Sequence, residues 1–270
     1  MRQYYAVTTY QQVTSILLGR YKNCLISYFF YKGSIKKVIQ DNLHLFDNIV
    51  MDSGAFSAFS SGKEIDIDEY IKDLKESGIK KYFNLDAIGD AKKSFENFMY
   101  MREQGMNPVP TFHINTDIDY LYKYLELTDY LSIGNMVQGN EIKGNLNKIW
   151  NVILTEAPDT KVHGLGVSNY DIAAHYPWDT IDSSSYCAIT KFARTAVWNN
   201  NKNRFDVHDT FKWLEEVLRF KQPDGERTSS GIDGMCFLIQ QEQYNQMIDA
   251  INKYQEGRDW SHLTSQMSLF

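Results

Sequence analysis

Short apolar, β-rich runs alternate with amphipathic stretches along most of this chain. The first run is Cys24-Leu25-Ile26-Ser27-Tyr28-Phe29-Phe30-Tyr31. After Gly33 a helical pattern puts Ile35, Val38, Ile39, Leu43 and Phe46 on one face. The second run, Ile49-Val50-Met51, ends at Asp52. The spacing then predicts a helix over 66–77, with Ile67, Tyr70, Ile71 and Leu74 as its apolar stripe and Gly78 as its stop. The third run is Lys81-Tyr82-Phe83-Asn84-Leu85, ending at Asp86, with a helix over 91–104 stopped by Gly105. The fourth, Pro108-Val109-Pro110-Thr111-Phe112, ends at His113; its two prolines predict a short or irregular strand. A helix over 117–127 follows. The fifth run, Tyr130 to Ile133, ends at Gly134-Asn135 and precedes a helix over 141–156. Lys161-Val162-His163 is the sixth and Asp179-Thr180-Ile181 the seventh. Thr195 to Trp198 is a weaker eighth, followed by a helix over 208–221.

Eight strand–helix units predict a parallel sheet with crossover helices, and that number favours a closed (β/α)8 TIM barrel over an open sheet. The α/β barrel is expected over 1–222. Residues 223–270, with an amphipathic stretch over 235–256, are expected to form a C-terminal helical extension packed on it. No GxGxxG follows the first run and no P-loop occurs, which weakens nucleotide-binding alternatives.

Polar residues gather where the runs end. Asp52, Asp86, His113, Asn135, His163 and Asp182 each lie at or just after a predicted strand. In a barrel the active site is built at that rim. Taken singly, Asp52-Ser53-Gly54-Ala55-Phe56 or Asp182-Ser183-Ser184-Ser185 reads as a turn start or a helix cap. Taken as a series, these ends read as a polar pocket, with two carboxylates available as nucleophile and proton carrier.

Composition narrows the setting. Of 270 residues, 43% are hydrophobic and 23% charged, as in ordinary globular proteins. No apolar run reaches the roughly 20 residues needed to cross a bilayer, and the N-terminus lacks a signal-peptide core, so no membrane partner is expected. Three scattered cysteines and six histidines form no CxxC, HExxH or HxH pattern. No metal or cofactor is expected, and the cytoplasm is the expected location. The net charge of −6 argues against a general nucleic-acid binder. One stretch nevertheless carries Lys191, Arg194, Lys202 and Arg204 with no acid among residues 191–204. Alone it is a solvated loop with incidental charge; beside Asp182 on a barrel rim it becomes a candidate phosphate contact.

These motifs carry a resemblance. Asp52-Ser53-Gly54-Ala55-Phe56, Asn84-Leu85-Asp86, Gly134-Asn135-Met136-Val137, His163-Gly164-Leu165-Gly166-Val167 and Ile181-Asp182-Ser183-Ser184-Ser185 occur in an order that resembles the tRNA-guanine transglycosylases (queuine tRNA-ribosyltransferases). The resemblance spans about residues 24–200 and is strongest to the compact phage- and plasmid-borne relatives that include 7-deazaguanine DNA transglycosylases. It implies exchange of guanine in a nucleic acid for a 7-deazaguanine base such as preQ0 or preQ1. By position, Asp182 would attack the sugar C1′ and Asp52 would serve as general acid/base. Phe56 would stack on the base and Asp86 would accept from its N–H edge. Ser53, Gly54, Gly134, Asn135, His163 and Gly166 would line the base pocket. His113 stands where the tRNA enzymes carry glutamine.

The chain departs from the tRNA enzymes in two further respects. It lacks their Cys/His zinc subdomain, and Tyr186-Cys187 replaces their PxR-type run. These departures tilt the expected polymer toward DNA over tRNA. The acidic total leaves room for a protein partner or a homodimer, and a phage-encoded chain would work in the host cytoplasm. A hydrolase of nucleosides or glycosides on the same barrel, and a non-catalytic base- or protein-binding module, are the alternatives.

Overall fold

The chain opens on a strand that the hydropathy pattern does not announce. In the computed structural model, which describes residues 1–136, 142–192, 194–219 and 229–264, β1 (Arg2–Val7) leads into α1 (Tyr10–Leu18). Next come β2 (Asn23–Ser27), α2 (Gly33–Asp41), β3 (Asn48–Asp52), α3 (Ala55–Ser60), α4 (Ile67–Ser77) and β4 (Lys81–Tyr82). The middle of the chain gives α5 (Ala91–Glu103), β5 (Thr111–His113), α6 (Asp119–Leu125), β6 (Tyr130–Gly134) and α7 (Ile142–Glu156). It continues through β7 (Lys161–Gly164), α8 (Tyr170–His175), β8 (Thr180–Ser183) and α9 (Ser185–Ala188). Last come β9 (Arg194–Asn199), β10 (Arg204–Asp209), α10 (Thr210–Leu218) and α11 (Ser229–Gln255).

Strands β1 to β8 form one parallel sheet in the order β4-β3-β2-β1-β8-β7-β6-β5. A parallel bridge between Phe83 and Val109 joins its two edges. The fold is therefore a (β/α)8 barrel. The expected number of strands is right, but the membership differs. β1 pairs with β2 on one side and β8 on the other, with Tyr5 opposite Cys24 and Tyr4 opposite Asp182. That closes the ring without the expected eighth strand. Thr195 to Trp198 instead lies in β9, which forms an antiparallel hairpin with β10 outside the barrel. There the N–H groups of Ala196 and Trp198 donate to the Gln240 and Gln243 side chains of α11.

The first run also ends earlier than its hydropathy suggests. Ser27 is paired with Asp52, the last residue of β3; beyond that register no neighbour strand exists, and Tyr28–Phe30 turn as a 3₁₀ helix. The seam between β4 and β5 is irregular for the expected reason. Pro108 and Pro110 remove two ladder donors. The buried Asn84 side chain replaces part of the ladder, accepting from Thr111 N–H at 2.9 Å and donating to Ser94 C=O at 3.2 Å.

Tyr4, Leu25, Val50, Phe83 and Val109 pack together as an apolar plug inside the barrel. A larger cluster lies between sheet and helices, around Ile26, Met51, Phe98, Trp150 and Ile181. Helix α11 lies against α1, α8 and β1 and buries Met247 and Ile251, so it fills the place of the eighth barrel helix. The expected domain boundary at 222/223 falls outside the described residues. Among the described residues no helix is long and apolar enough to span a membrane.

Candidate active site

Parallel strands of a barrel all point their C-terminal ends to one rim, and residues two apart on a strand share a face. Leu25 and Val50 belong to the interior plug. Ser27 and Asp52, each two residues on and mutually paired, therefore rise from the plug to the rim. The same alternation carries β8 from Thr180 to Asp182. It carries β5 to His113 and β6 to Gly134, which are paired.

Asp182 is nearly buried and is held through one oxygen. Its Oδ1 accepts the Gly166 N–H at 2.8 Å and lies 3.2 Å from His163 Nε2. Gly166 reaches this position with φ +72°, a left-handed conformation suited to glycine. His163 was expected on the pocket floor; it lies deeper, fully buried, with its ring packed on Phe83 at 5.0 Å between centroids. Its Nδ1 is 2.7 Å from Thr180 Oγ1, which is 2.7 Å from the Tyr130 hydroxyl. With Asp182 ionised, Nε2 must donate, because a carboxylate only accepts. In the tautomer with the proton on Nε2 alone, Nδ1 accepts from Thr180, whose oxygen accepts from Tyr130. Every polar atom in this buried row is satisfied, and Asp182 Oδ2 is left for other work.

A second group forms around Asp86. Its Oδ1 accepts from the Ser53 hydroxyl at 2.7 Å and its Oδ2 lies 3.0 Å from His113 Nε2. Asp86 was expected to accept from the edge of a purine. Each of its oxygens already has a protein partner, so such contacts must use its remaining lone pairs. Its main effect in this structure is to fix Ser53 and His113. Gly134 lies against His113: a Cβ there would fall 3.1 Å from the ring. Asn135 is exposed with φ +64°.

Asp52 stands between the two groups. Its Oδ2 accepts the Gly54 N–H at 3.0 Å, which favours the charged form. Desolvation and the charges of Asp86 and Asp182 outweigh that bond and raise its pKa to about 7. Asp52 keeps partial solvent access, so reacting groups can reach it. Gly54 (φ +77°) turns the chain sharply into α3. Phe56 then stands at the rim 70% exposed, available as a stacking surface.

The basic segment is not brought to this site as a set. Lys202 and Arg204 lie at the turn of the β9–β10 hairpin, 3.5 and 3.3 Å from Asp206, which offsets part of their charge. The sequence window stopped two residues short of that acid. Arg194 opens β9 and is exposed, and the Lys191 side chain lies outside the described residues, as does Val137.

Thr180 and Tyr130 were not foreseen as site residues. The signal for Thr180 was its spacing of two from Asp182 on one strand. Tyr130 opens a strand at the far end from the rim and gave no such signal. A surface cavity of about 620 Å³ is lined by Arg102, Leu127, Asp129, Ala157 and Thr160. Arg102 comes from the last turn of α5 and the others from the segments leading into β6 and β7, at the pole opposite the carboxylates. Among the described residues no three His, Cys, Asp or Glu side chains converge as metal ligands.

No protein-family model and no curated protein matches this chain. Solved structures do. One is a Coccidioides immitis protein provisionally assigned as a fructose-1,6-biphosphate aldolase: 9% identity, 94% of this chain and 93% of that one covered, TM-score 0.56. Another is an Aquifex aeolicus VF5 protein described without a function: 11% identity, 90% and 92% covered, TM-score 0.49. At such identity the first likeness speaks for the barrel fold alone.

Proposed function

We propose that this protein exchanges a guanine base in a nucleic acid for a 7-deazaguanine base, through a covalent aspartyl-glycosyl intermediate. The observation that carries this reading is the contrast between two neighbouring carboxylates. Asp182 is oriented by His163 and Gly166 with one oxygen unused, as a nucleophile requires. Asp52 has its pKa pushed up to about 7, as a proton carrier at neutral pH requires.

The chemistry balances with these two groups. Asp182 Oδ2 forms a bond to C1′ as the C1′–N bond to guanine breaks, and the electron pair leaves with the base. Protonated Asp52 gives that base its proton. The incoming 7-deazaguanine then loses a proton to Asp52, attacks C1′ and releases Asp182. Two inversions return the original configuration. The order of site motifs along the chain supports a guanine-type base, and the exposed Phe56 offers it a stacking face.

A Schiff-base aldolase reading finds less support. The lysines of the eight barrel strands are Lys81 and Lys161, which open β4 and β7 at the opposite pole.

The test is incubation with guanine radiolabelled in a DNA duplex and, separately, in tRNA, with and without added preQ0 or preQ1. Release that needs the added base and disappears in Asp182→Asn supports exchange and identifies the polymer. Release without added base points to hydrolysis, and a fully active Asp182→Asn protein sinks the reading.

A further inference from the structure

Asp206 offsets part of the charge of the hairpin expected to contact phosphates, and further cations stand on the rim itself. The loops after β2 and β3 form a single sector of the rim. They are locked together at Gly54, where an added Cβ would fall 2.7 Å from Phe29 N and 2.8 Å from Phe29 Cβ. Asp52, the last residue of β3, lies at the base of this sector. Phe56 and Phe59 stand on it 70% and 65% exposed. At a spacing of three on α3 they share one face. Large aromatic rings exposed side by side mark an interaction surface.

Two cations belong to the same sector. The ammonium groups of Lys32 and Lys63 lie 5.4 and 5.6 Å from the centroid of the Phe29 ring. Among the described residues neither has a carboxylate within ion-pair distance, whereas nearby Lys36 is paired with Asp73 at 2.9 Å. Of the acids that follow Lys63, Glu64 is exposed beside it in sequence, and two others are engaged elsewhere. Asp66 caps α4 through the N–H groups of Asp68 and Glu69, and Asp68 accepts from the Tyr100 hydroxyl.

We propose that this sector docks a single-stranded stretch of nucleic acid flanking the target nucleotide. Phe59 stacks on a neighbouring unpaired base, and Lys32 and Lys63 contact the phosphates beside it. Exposed rings next to unpaired ammonium groups match the chemistry of single-stranded nucleic acid, whose bases offer free π-faces between charged phosphates. A duplex hides those faces. The proposal rests on the base-exchange reading, since it assumes that Asp52 acts on a polynucleotide.

The test is fluorescence anisotropy with short, mixed-sequence single-stranded DNA and RNA oligonucleotides. The variants are Phe59→Ala, the Lys32→Ala/Lys63→Ala pair and, for comparison, Lys202→Ala/Arg204→Ala. Phe59→Ala is expected to weaken binding about 5- to 150-fold, the range for loss of one stacked base. The Lys32/Lys63 pair is expected to lower the slope of log affinity against log salt by about 1.4, for two lost phosphate contacts. The hairpin pair is expected to bind like the wild type. No binding of either oligonucleotide by wild type, unchanged binding in the rim variants, or a loss confined to the hairpin pair would each overturn the proposal. Rim-dependent binding without base release from any polymer would leave this surface standing and remove the exchange reading. Exchange that proceeds unaltered in the rim variants would do the reverse.

Discussion

His163 and Asp182 meet through one oxygen: Nε2 lies 3.2 Å from Oδ1, the atom that also accepts the Gly166 N–H. Orientation of the proposed nucleophile thus depends on a buried ring that is held on its other side by the Thr180 hydroxyl, itself bonded to Tyr130. His163→Ala is expected to lower the rate of covalent trapping about 100-fold, the scale on which small misplacements of a reacting group are felt. Oligonucleotide affinity should stay at the wild-type value. The same change leaves Thr180 and Asp182 Oδ1 short of a partner and should cost on the order of 1–3 kcal/mol in urea unfolding. Thr180→Val should give a smaller rate loss of the same kind. A His163→Ala protein that traps at the wild-type rate would contradict this role.

The pH dependence should centre on Asp52, whose pKa stands near 7 against an ordinary carboxylate value near 4. In the proposed reaction, departure of the base needs the protonated acid. Label release in a single turnover should therefore fall as pH rises through about 7, and Asp52→Asn should lose that limb along with most of the rate.

Stability follows the same group with a definite sign. A carboxyl whose pKa is higher folded than unfolded holds its proton more tightly in the folded state. Its contribution is neutral below about pH 4, turns unfavourable between about pH 4 and 7, and remains so above. Asp52→Asn should therefore stabilise the protein at pH 8 by on the order of 2 kcal/mol, reduced by the partial solvent access of the site, and by little at pH 4. Urea titrations at the two pH values measure the difference. Equal effects at both would place the origin outside this ionisation.

Gly54→Ala tests the rim joint. The residue has φ +77°, and its new Cβ would meet the Phe29 backbone nitrogen at 2.7 Å. The left-handed conformation costs about 1–2 kcal/mol for a residue with a Cβ, and a clash with backbone adds to it. Thermal unfolding should fall by several degrees. Activity should fall further than stability, because the Gly54 N–H bonded to Asp52 must move with the loop. Gly62, with φ +63° and open space around it, is the control: Gly62→Ala should show the conformational cost alone.

Strand periodicity made the rim legible in the sequence. Asp52, Asp86, His113 and Asp182 each close a β-rich run, and the barrel brings those ends together. What the pattern hid depended on pairing. β1 reads as an ordinary chain terminus because only its neighbours, β2 and β8, make Arg2–Val7 a central strand. Thr195 to Trp198 has strand character and is a strand, but local propensity does not say which sheet it joins. His163 looked like a rim residue because its run ends there; its depth follows from the Tyr4 ring of β1 and the Phe83 ring just past β4 beside it. Asp206 lies two residues past the basic stretch, so the partial charge balance of the hairpin is visible in the sequence and escapes only a window that ends at Arg204.

The amphipathic C-terminal stretch reads in sequence as an addition to a finished barrel, yet its contacts make it part of the closure. The Tyr5 hydroxyl of the first strand lies 2.9 Å from Gln241 C=O and 2.6 Å from Asn245 Oδ1, both on α11. Farther along the same helix, Asn252 donates to Met1 C=O, and the Gln255 amide reaches the carbonyls of Ala173, Ala174 and Tyr176 at the end of α8. Met247 and Ile251 are fully buried between these contacts. Without α11 the outer faces of β1 and α1 would meet water, and Tyr5 would lose both partners. A chain ending at residue 222 is therefore expected to lose cooperative unfolding and to bind a hydrophobic dye. Tyr5→Phe in the full chain should keep the fold and cost on the order of 1–3 kcal/mol for the unpaired buried acceptors. Circular dichroism through a thermal ramp separates the outcomes. A truncated chain that melts cooperatively near the wild-type temperature would mean that the barrel is complete without its last helix.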